Sequence, residues 1–269
     1  MRPPIKERII GLPFDKPLNL TEYKDLLSRV KTKVFSLVDC SASDEVEISQ
    51  PIINGIPKGT VGGTSPDWST IRLGVERIWR IKINNKFWLQ LMSKGLSFHF
   101  VTPDGGEIGV FQDLLDFYQQ MLPNIVNDID LIHKVSKIDA IFINRMNNDD
   151  LVDFIEGNGS SLNVAKLLNF PGIRVRSNEV KPCPPSFQST SYFVKNIRLR
   201  VDLVIPASKP NDWIVELVIN GSVQNVRLTA DNGWCAKTYF PEIHKHIFSL
   251  FKTTMSEVAF NSMNINAES

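Results

Sequence analysis

The chain has 269 residues, of which 42% are hydrophobic and 22% charged, and 30 Lys and Arg against 29 Asp and Glu give a formal net charge of +1. This composition excludes a disordered chain, a collagen-like chain and a disulfide scaffold, and no apolar run approaches the roughly 18 residues of a membrane span. Near-neutral charge argues against a protein that binds nucleic acids or membranes through its overall charge.

The first residues and the cysteines indicate a compartment. The N-terminus reads MRPPIKERIIGLPF and contains no apolar h-region of a secretory signal. Cys40, Cys183 and Cys235 are odd in number, far apart and outside any CxxC pair, which is not typical of structural zinc or of a disulfide framework. We therefore expect a cytoplasmic protein that holds no metal and no other cofactor and does not associate with membranes.

The first third of the chain predicts a helix, a loop and a meander. Residues 20–37 predict a helix, because apolar residues recur at spacings of three and four, although 34–38 fits a strand equally well. Residues 39–70 are acidic and then rich in Gly, Pro, Ser and Thr, which predicts a long loop. Three alternating segments then predict an antiparallel meander with one buried face. They cover residues 76–83, 86–92 and 96–102.

A helix beginning near residue 110 and a strand centred on 138–144 follow the meander. Phe111, Leu114 and Tyr118 belong to the apolar stripe of this helix, which Pro123 is expected to end or kink. Short helical segments are predicted near 149–156 and 162–168.

The last third repeats this pattern loosely. Residues 197–205 alternate as a half-buried strand, and 213–220 with 223–229 predict a hairpin around Asn220-Gly221. A long helix carrying Phe240 to Val258 closes the chain. Each half therefore has a hairpin followed by an amphipathic helix, which fits either a diverged duplication or coincidence.

These elements predict an α+β fold in which antiparallel sheets, or one extended sheet, are covered by long amphipathic helices. We place the boundary between an N-terminal and a C-terminal α+β half after residue 148, giving 1–148 and 149–269. A single continuous domain is the alternative.

The neutral total conceals three charged segments. Residues 69–100 hold six basic residues and one acid, 101–133 hold six acids and no Lys or Arg, and 158–200 hold seven basic residues and one acid. In one interpretation these charges pair across the fold. In the other, basic strand residues line one open sheet face that meets a polyanion or an acidic partner. These residues are Arg77, Arg80, Lys82, Arg198 and Arg200.

Catalytic signatures are absent from the sequence. It contains no P-loop, no nucleophile elbow, no HExxH and no dinucleotide-binding glycine motif. His244 and His246 are two apart on a predicted helix and project about 200° apart, so they cannot share a metal ion. The carboxylates from Asp149 to Glu156 are explained by a helix N-terminus that Asn147 or Asn148 caps. A hydrolase would need a nucleophile beside His99 or His244.

Two segments resemble a known family. Residues 111–147 read as a helix with Tyr118, followed by the strand Ile-Phe-Ile-Asn-Arg that ends at Arg145. Residues 197–251 hold a Leu-x-Val-Asp-Leu strand, a predicted hairpin and a helix with a His-x-x-Ile-x-x-x-Phe spacing from His244. Together they are similar to a sporadically distributed, uncharacterised bacterial family of about this length, whose members often lie near mobile elements.

This resemblance implies a cytoplasmic bacterial protein from a defence or mobile-element context and supplies no mechanism. The strand of the family typically reads Arg-Tyr-Ile-Asn-Arg, and this chain keeps only its Ile-Asn-Arg. Its acidic strand position is matched by Asp202. The polar positions that the resemblance nominates are Asn144, Arg145 and His244.

Two functions follow as hypotheses. The first is a non-enzymatic binding or assembly protein that acts through a sheet face or by self-association, with another protein or a second copy as its partner. The alternative is a nucleic-acid-associated defence or regulatory component that uses the basic strands.

Overall fold

The structure is a computed structural model that describes residues 5–37, 45–53, 73–102, 110–126, 135–157, 161–169, 179–180, 186–205, 213–230 and 233–262. Over these residues the chain is a mixed α+β protein in which helices pack on a large antiparallel sheet, as the sequence predicts.

Twelve strands lie within the described residues, and nine of them form the large sheet. In chain order they are β1 (Ile5–Pro13), β2 (Glu45–Ile53), β3 (Leu73–Lys82), β4 (Phe87–Met92), β5 (Gly95–Val101), β6 (Lys137–Met146), β7 (Ile155–Glu156), β8 (Ser161–Asn163), β9 (Glu179–Val180), β10 (Ser186–Val194), β11 (Ile197–Ile205) and β12 (Val215–Gln224). Strands β7, β8 and β9 form a separate small sheet.

The helices of the described residues differ greatly in length. They are α1 (Leu20–Leu37), α2 (Phe111–Val126), α3 (Asn148–Leu151), α4 (Val164–Leu167), α5 (Phe240–Thr254) and α6 (Glu257–Ser262). Helix α3 begins with a capping box, in which the Asn147 side chain accepts from backbone N–H groups and the Asp150 side chain accepts in return. The expected cap at this helix is therefore confirmed.

The spatial order of the large sheet is β10-β11-β12-β6-β1-β5-β4-β3-β2. Each half of this sheet begins with one strand, β1 or β6, and ends with a meander whose last strand returns to pair with the first. A long helix, α2 or α5, follows each meander. Because β1 and β6 also pair with each other, the two halves meet at the centre of one continuous sheet.

The predicted hairpin at Asn220-Gly221 is wrong. Strand β12 runs without a turn from Val215 to Gln224 and pairs with β6 over its whole length. Gly221 faces α5, and a Cβ atom there would lie 2.4 Å from Cγ2 of Ile243. The glycine thus allows a helix to approach the strand closely. The tight turn in this part of the sheet lies instead between β10 and β11, at Lys195.

The structure differs from the sequence-based prediction at other elements too. Residues 45–53, inside the predicted loop, form β2, while the remainder of 39–70 lies outside the described residues. Helix α1 continues to Leu37 because Val34 extends the buried stripe of Val30, which overturns the strand alternative. Helix α2 passes through Pro123 and ends at Val126. Strands β1 and β10 were not predicted.

The hydrophobic core lies between one face of the sheet and helices α1, α2 and α5. Phe98 of β5 packs edge-on against Tyr118 of α2, with ring centroids 5.0 Å apart. The buried Tyr118 hydroxyl donates to the backbone oxygen of Trp234, 2.6 Å away. This bond ties α2 to the segment that leads into α5, so both long helices are held on the same side of the sheet.

Candidate functional site

The face of the sheet opposite α1, α2 and α5 carries most of the predicted basic residues, and we call it the open face because these three helices pack on the other side. Its central polar residues are nonetheless buried, namely Gln90, Ser97, His99, Asp139 and Ser222. Residues that lie directly opposite each other in neighbouring strands point to the same side of a sheet. The pairing register therefore shows which side chains share the open face. Two cross-strand rows stand out, and each crosses the seven strands from β3 to β11.

The first row begins with a lysine and ends with an arginine. Its members are Lys82, Trp88, His99, Ile9, Ile141, Asn220 and Arg200. The second row lies next to it and has an arginine at each end. Its members are Arg80, Gln90, Ser97, Gly11, Asp139, Ser222 and Arg198. With neighbouring strands about 4.8 Å apart, each row spans about 29 Å.

Four of the five predicted basic residues are therefore on one face, but they do not form one cluster. Arg80 and Lys82 stand at the β3 end of the rows, and Arg198 and Arg200 stand at the β11 end. Arg77 belongs to β3, and its side chain lies outside the described residues. Helix α2, which holds Asp113 and Asp116 of the acidic segment, packs on the other face, so this helix does not cover these cations. The other four acids of 101–133 lie outside the described residues.

At the β3 end, Arg80 lies against Trp88. The guanidinium carbon is 4.8 Å from the centre of the indole ring, and Nε and Nη2 donate to Oε1 of Gln90 at 2.9 and 2.6 Å. Stacking and two hydrogen bonds hold the guanidinium in one orientation. The indole Nε1 of Trp88 is buried and has no hydrogen-bond partner.

At the β11 end, Arg198 and Arg200 are both exposed. Arg200 Nε donates to Oδ1 of Asp202 at 2.8 Å and to the Ser189 hydroxyl at 3.2 Å. Arg198 stands opposite Phe193 of β10, whose side chain is 74% exposed. This end combines cations with an aromatic ring that is open to solvent.

Between the two ends the second row is polar, whereas four aliphatic side chains lie in and next to the first row. Ile9 and Ile141 are neighbours in the first row, and Ile143 and Val218 are neighbours next to that row on β6 and β12. All four are half-buried, and we call them the central aliphatic patch. Asn220, which adjoins this patch, has a buried Oδ1 without a hydrogen-bond partner. Covering the exposed part of these aliphatic side chains is what would favour binding of a partner.

A chain of hydrogen bonds links Ser97, His99 and Glu7 on the open face. The Ser97 hydroxyl is 2.8 Å from Nε2 of His99, and Nδ1 of His99 is 2.5 Å from Oε1 of Glu7. The order serine, histidine, carboxylate is that of a catalytic triad. Both flanks of β5 are paired, with β1 and with β4, so its backbone N–H groups serve the sheet and supply no oxyanion hole. These hydrogen bonds fix the orientation of the Ser97 and His99 side chains.

Replacing His99 with alanine tests this structural role. We expect the free energy of unfolding to fall by about 1.5 kcal/mol, because the Ser97 hydroxyl and the Glu7 carboxylate each lose a buried partner. Urea unfolding measures the change. The matched control is Asn220→Ala in the same row, which removes an acceptor without a partner and should change stability by less than about 0.5 kcal/mol. Equal losses of stability in both variants would contradict the structural role of the Ser97–His99–Glu7 hydrogen bonds.

The acids of the open face are already engaged. Four carboxylates on this face lie beside a cation or a histidine of the same face. The pairs are Glu7 with His99, Asp139 with Lys137, Asp202 with Arg200, and Glu216 with Arg145. Burial raises the pKa of Asp139, and Lys137 acts in the opposite direction. The described ion pairs leave out Lys82 and Arg198, and the described hydrogen bonds of Arg80 go to the uncharged amide of Gln90, so these three cations have no acid partner among the described side chains.

The three positions nominated by the resemblance do not meet in one site. Asn144 is buried on the helix side, where Nδ2 donates to the backbone oxygen of Leu217 at 3.0 Å and Oδ1 has no partner. His244 of α5 lies on the same side and stacks on Phe111 with ring centroids 4.6 Å apart. Arg145 lies on the open face, 3.1 Å from the Glu216 carboxylate. The resemblance itself stays a prediction.

Other candidate sites are weaker. In the described ranges, no three His, Cys, Asp or Glu side chains are placed to hold a metal ion. A groove of about 730 Å³ opens between α1, the β3–β4 turn and α2. Its edge carries Asp113 and Asp116, which already accept hydrogen bonds from the start of α2.

Among the helices that the structure describes, none is long and apolar enough to cross a membrane.

Sequence reasoning missed part of the open face. The alternation of residues 96–102 places Ser97 and His99 on one side of a strand, but Glu7 and Ile9 belong to β1, which was not predicted. The unused groups of Trp88 and Asn220 depend on contacts across strands that are distant in sequence. To predict these unpaired atoms, one would need to know the spatial order of the strands in the sheet.

Comparison with known proteins finds no matching family model, no matching curated protein and no matching solved structure. Function must therefore be inferred from the residues of the open face.

Proposed function

We propose that this protein is a non-enzymatic binding protein that holds a protein partner on the open face of its sheet. One observation carries this proposal: the central aliphatic patch is flanked at both ends by cations that no described acid neutralises. A half-buried apolar surface gains free energy when a partner covers it. Flanking charges then select the partner and fix its orientation.

The partner that fits this pattern is an amphipathic segment with an apolar middle and acidic ends. Its apolar residues cover Ile9 and Ile141, and its acids reach Arg80 at one end and Arg198 at the other. The rows are about 29 Å long, which corresponds to a helix of about 20 residues.

The charged ends provide a direct test. The probe is a fluorescein-labelled helical peptide of about 20 residues with one leucine face and two glutamates at each end, and fluorescence anisotropy measures its affinity. We expect Arg198→Glu together with Arg200→Glu to weaken binding about tenfold or more at low salt, because two attractive contacts become repulsive.

The matched control reverses the same amount of charge elsewhere. Lys237 and Lys245 are exposed and lie outside the sheet, so Lys237→Glu with Lys245→Glu changes the net charge equally and should leave the affinity unchanged. Equal weakening in both double variants would indicate a general charge effect. No binding of the peptide by the wild-type protein would count against the proposed partner.

Single-stranded nucleic acid is a second candidate, favoured by two contacts. Arg80 is stacked on Trp88, and the exposed ring of Phe193 lies beside Arg198. Arginine and aromatic side chains together bind phosphates and stack on bases. Salt-sensitive binding of oligothymidylate, lost in the Arg198→Glu and Arg200→Glu double variant, would favour this candidate over the peptide.

A further inference from the structure

The two edges of the large sheet are built differently. Strand β2 forms one edge, and its sequence contains Glu45, Glu47 and Pro51. Charges and proline are the usual protection of an edge against pairing with another strand. Strand β10 forms the other edge, and its nine residues SFQSTSYFV include no charged residue and no proline. The β2 edge is therefore protected against pairing with another strand, and the β10 edge is not.

Strand β10 is also a long and regular edge. It pairs with β11 at all nine positions from Ser186 to Val194, without a bulge. Ser189, Ser191 and Phe193 are exposed, and Phe193 has the largest exposed fraction of any large hydrophobic residue among those described. A straight, uncharged edge that presents an aromatic ring is a template for pairing with another strand.

The sequence of β10 is close to a palindrome centred on Thr190. Serines stand one position on either side, at 189 and 191, and phenylalanines stand three positions on either side, at 187 and 193. Two copies of an antiparallel strand related by a two-fold axis through Thr190 pair each residue with its mirror position. Such a register pairs serine with serine, threonine with threonine and phenylalanine with phenylalanine.

We infer that β10 pairs antiparallel with β10 of a second copy of this chain, in the register centred on Thr190, so that the protein is a symmetric dimer with one sheet running through both subunits. Cross-strand pairs of aromatic residues and of Ser or Thr stabilise sheets, and no like charges face each other in this register. In this register residue 187 of the second copy stands opposite the exposed Phe193. Both open faces lie on the same side of the joined sheet.

Charge placed on the two serines tests both the edge and the register. Ser189→Lys with Ser191→Lys puts lysine opposite lysine across the two-fold axis, and we expect a monomer by light scattering on the full chain. Ser189→Lys with Ser191→Glu puts lysine opposite glutamate twice, and we expect the dimer to return. Both serines are exposed, and thermal unfolding of each variant verifies that it folds.

A disulfide provides a second test that does not depend on introduced charge. Thr190→Cys places two thiols opposite each other on the axis, within reach of a disulfide, whereas Ser189→Cys does not, because residue 191 stands opposite it. In a chain with Cys40→Ser and Cys183→Ser, which leaves only the buried Cys235, we expect oxidation to link the Thr190→Cys variant and to leave the Ser189→Cys variant and the parent chain unlinked. A monomeric wild-type protein at its highest soluble concentration would overturn the inference. A dimer that survives the double lysine variant, or that the lysine-glutamate variant fails to restore, would overturn it too.

Discussion

Replacing Gly221 with alanine is expected to lower the free energy of unfolding by about 3 kcal/mol, the upper part of the usual cost of overpacking a core. The added Cβ would lie 2.4 Å from Cγ2 of Ile243 and 3.2 Å from Cδ1 of Ile247. The Cγ2 methyl cannot move aside, because a β-branched side chain on a helix has one strongly preferred χ1 angle. Helix α5 must therefore shift away from β12. Urea unfolding followed by circular dichroism measures the loss.

Two further variants isolate the clash. Gln224 lies at the exposed end of the same strand, so Gln224→Ala should change the free energy of unfolding by less than about 0.5 kcal/mol. Ile243→Ala removes the methyl group that clashes, so the double variant with Gly221→Ala should lose about 2 kcal/mol less than the sum of the two single losses. Simple additivity would show that Gly221 does not serve the packing of α5.

Lowering the pH from about 7.5 to about 5 is expected to reduce the free energy of unfolding by about 2 kcal/mol through His244 alone. Burial, together with the nearby positive charge of Arg8, lowers the pKa of His244 to about 4. In the unfolded chain the imidazole takes up a proton near pH 6.5. At pH values between these two pKa values, the imidazole is protonated in the unfolded chain and neutral in the folded chain. The free energy of unfolding therefore falls as the pH falls from about 6.5 towards 4.

The test compares unfolding curves at both pH values for wild-type protein and two variants. His244→Phe keeps an aromatic ring against Phe111 but cannot bind a proton, so we expect it to lose most of the pH dependence. His246→Gln alters a partly exposed histidine two residues away and should keep it. A His244→Phe protein with the wild-type pH dependence would show that this imidazole is not held neutral by the fold.

The fold was predictable where one face of a strand is apolar and the other polar. Strands β3 to β6 and β11 follow this rule, and so do the long helices. Strand β1 was missed because Arg8 stands among its core-facing residues. Its guanidinium is buried between Phe100 and Phe142, 5.9 and 5.7 Å from the ring centres, and contact with aromatic rings stabilises a cation in such a position.

The site was predictable residue by residue but not as an arrangement. Alternation shows that Arg80 and Lys82 share one side of β3 and that Arg198 and Arg200 share one side of β11. Their distance depends on how many strands lie between them, and this number is set by β1 and β6, which enter the sheet from distant parts of the chain. The Asn220-Gly221 hairpin failed for a related reason, because contact with α5 outweighs a local turn preference.

The central claim is that the open face binds a partner through the central aliphatic patch, and the affinity of Ile141→Asp for the acidic-ended amphipathic peptide tests it most directly. A carboxylate at position 141 puts charge where the apolar middle of the peptide lies, so we expect affinity to fall about tenfold or more. Ile141→Thr, which keeps a β-branched side chain in β6, should weaken binding by a smaller factor while its unfolding curve stays close to wild type. Wild-type affinity in both folded variants would contradict the claim.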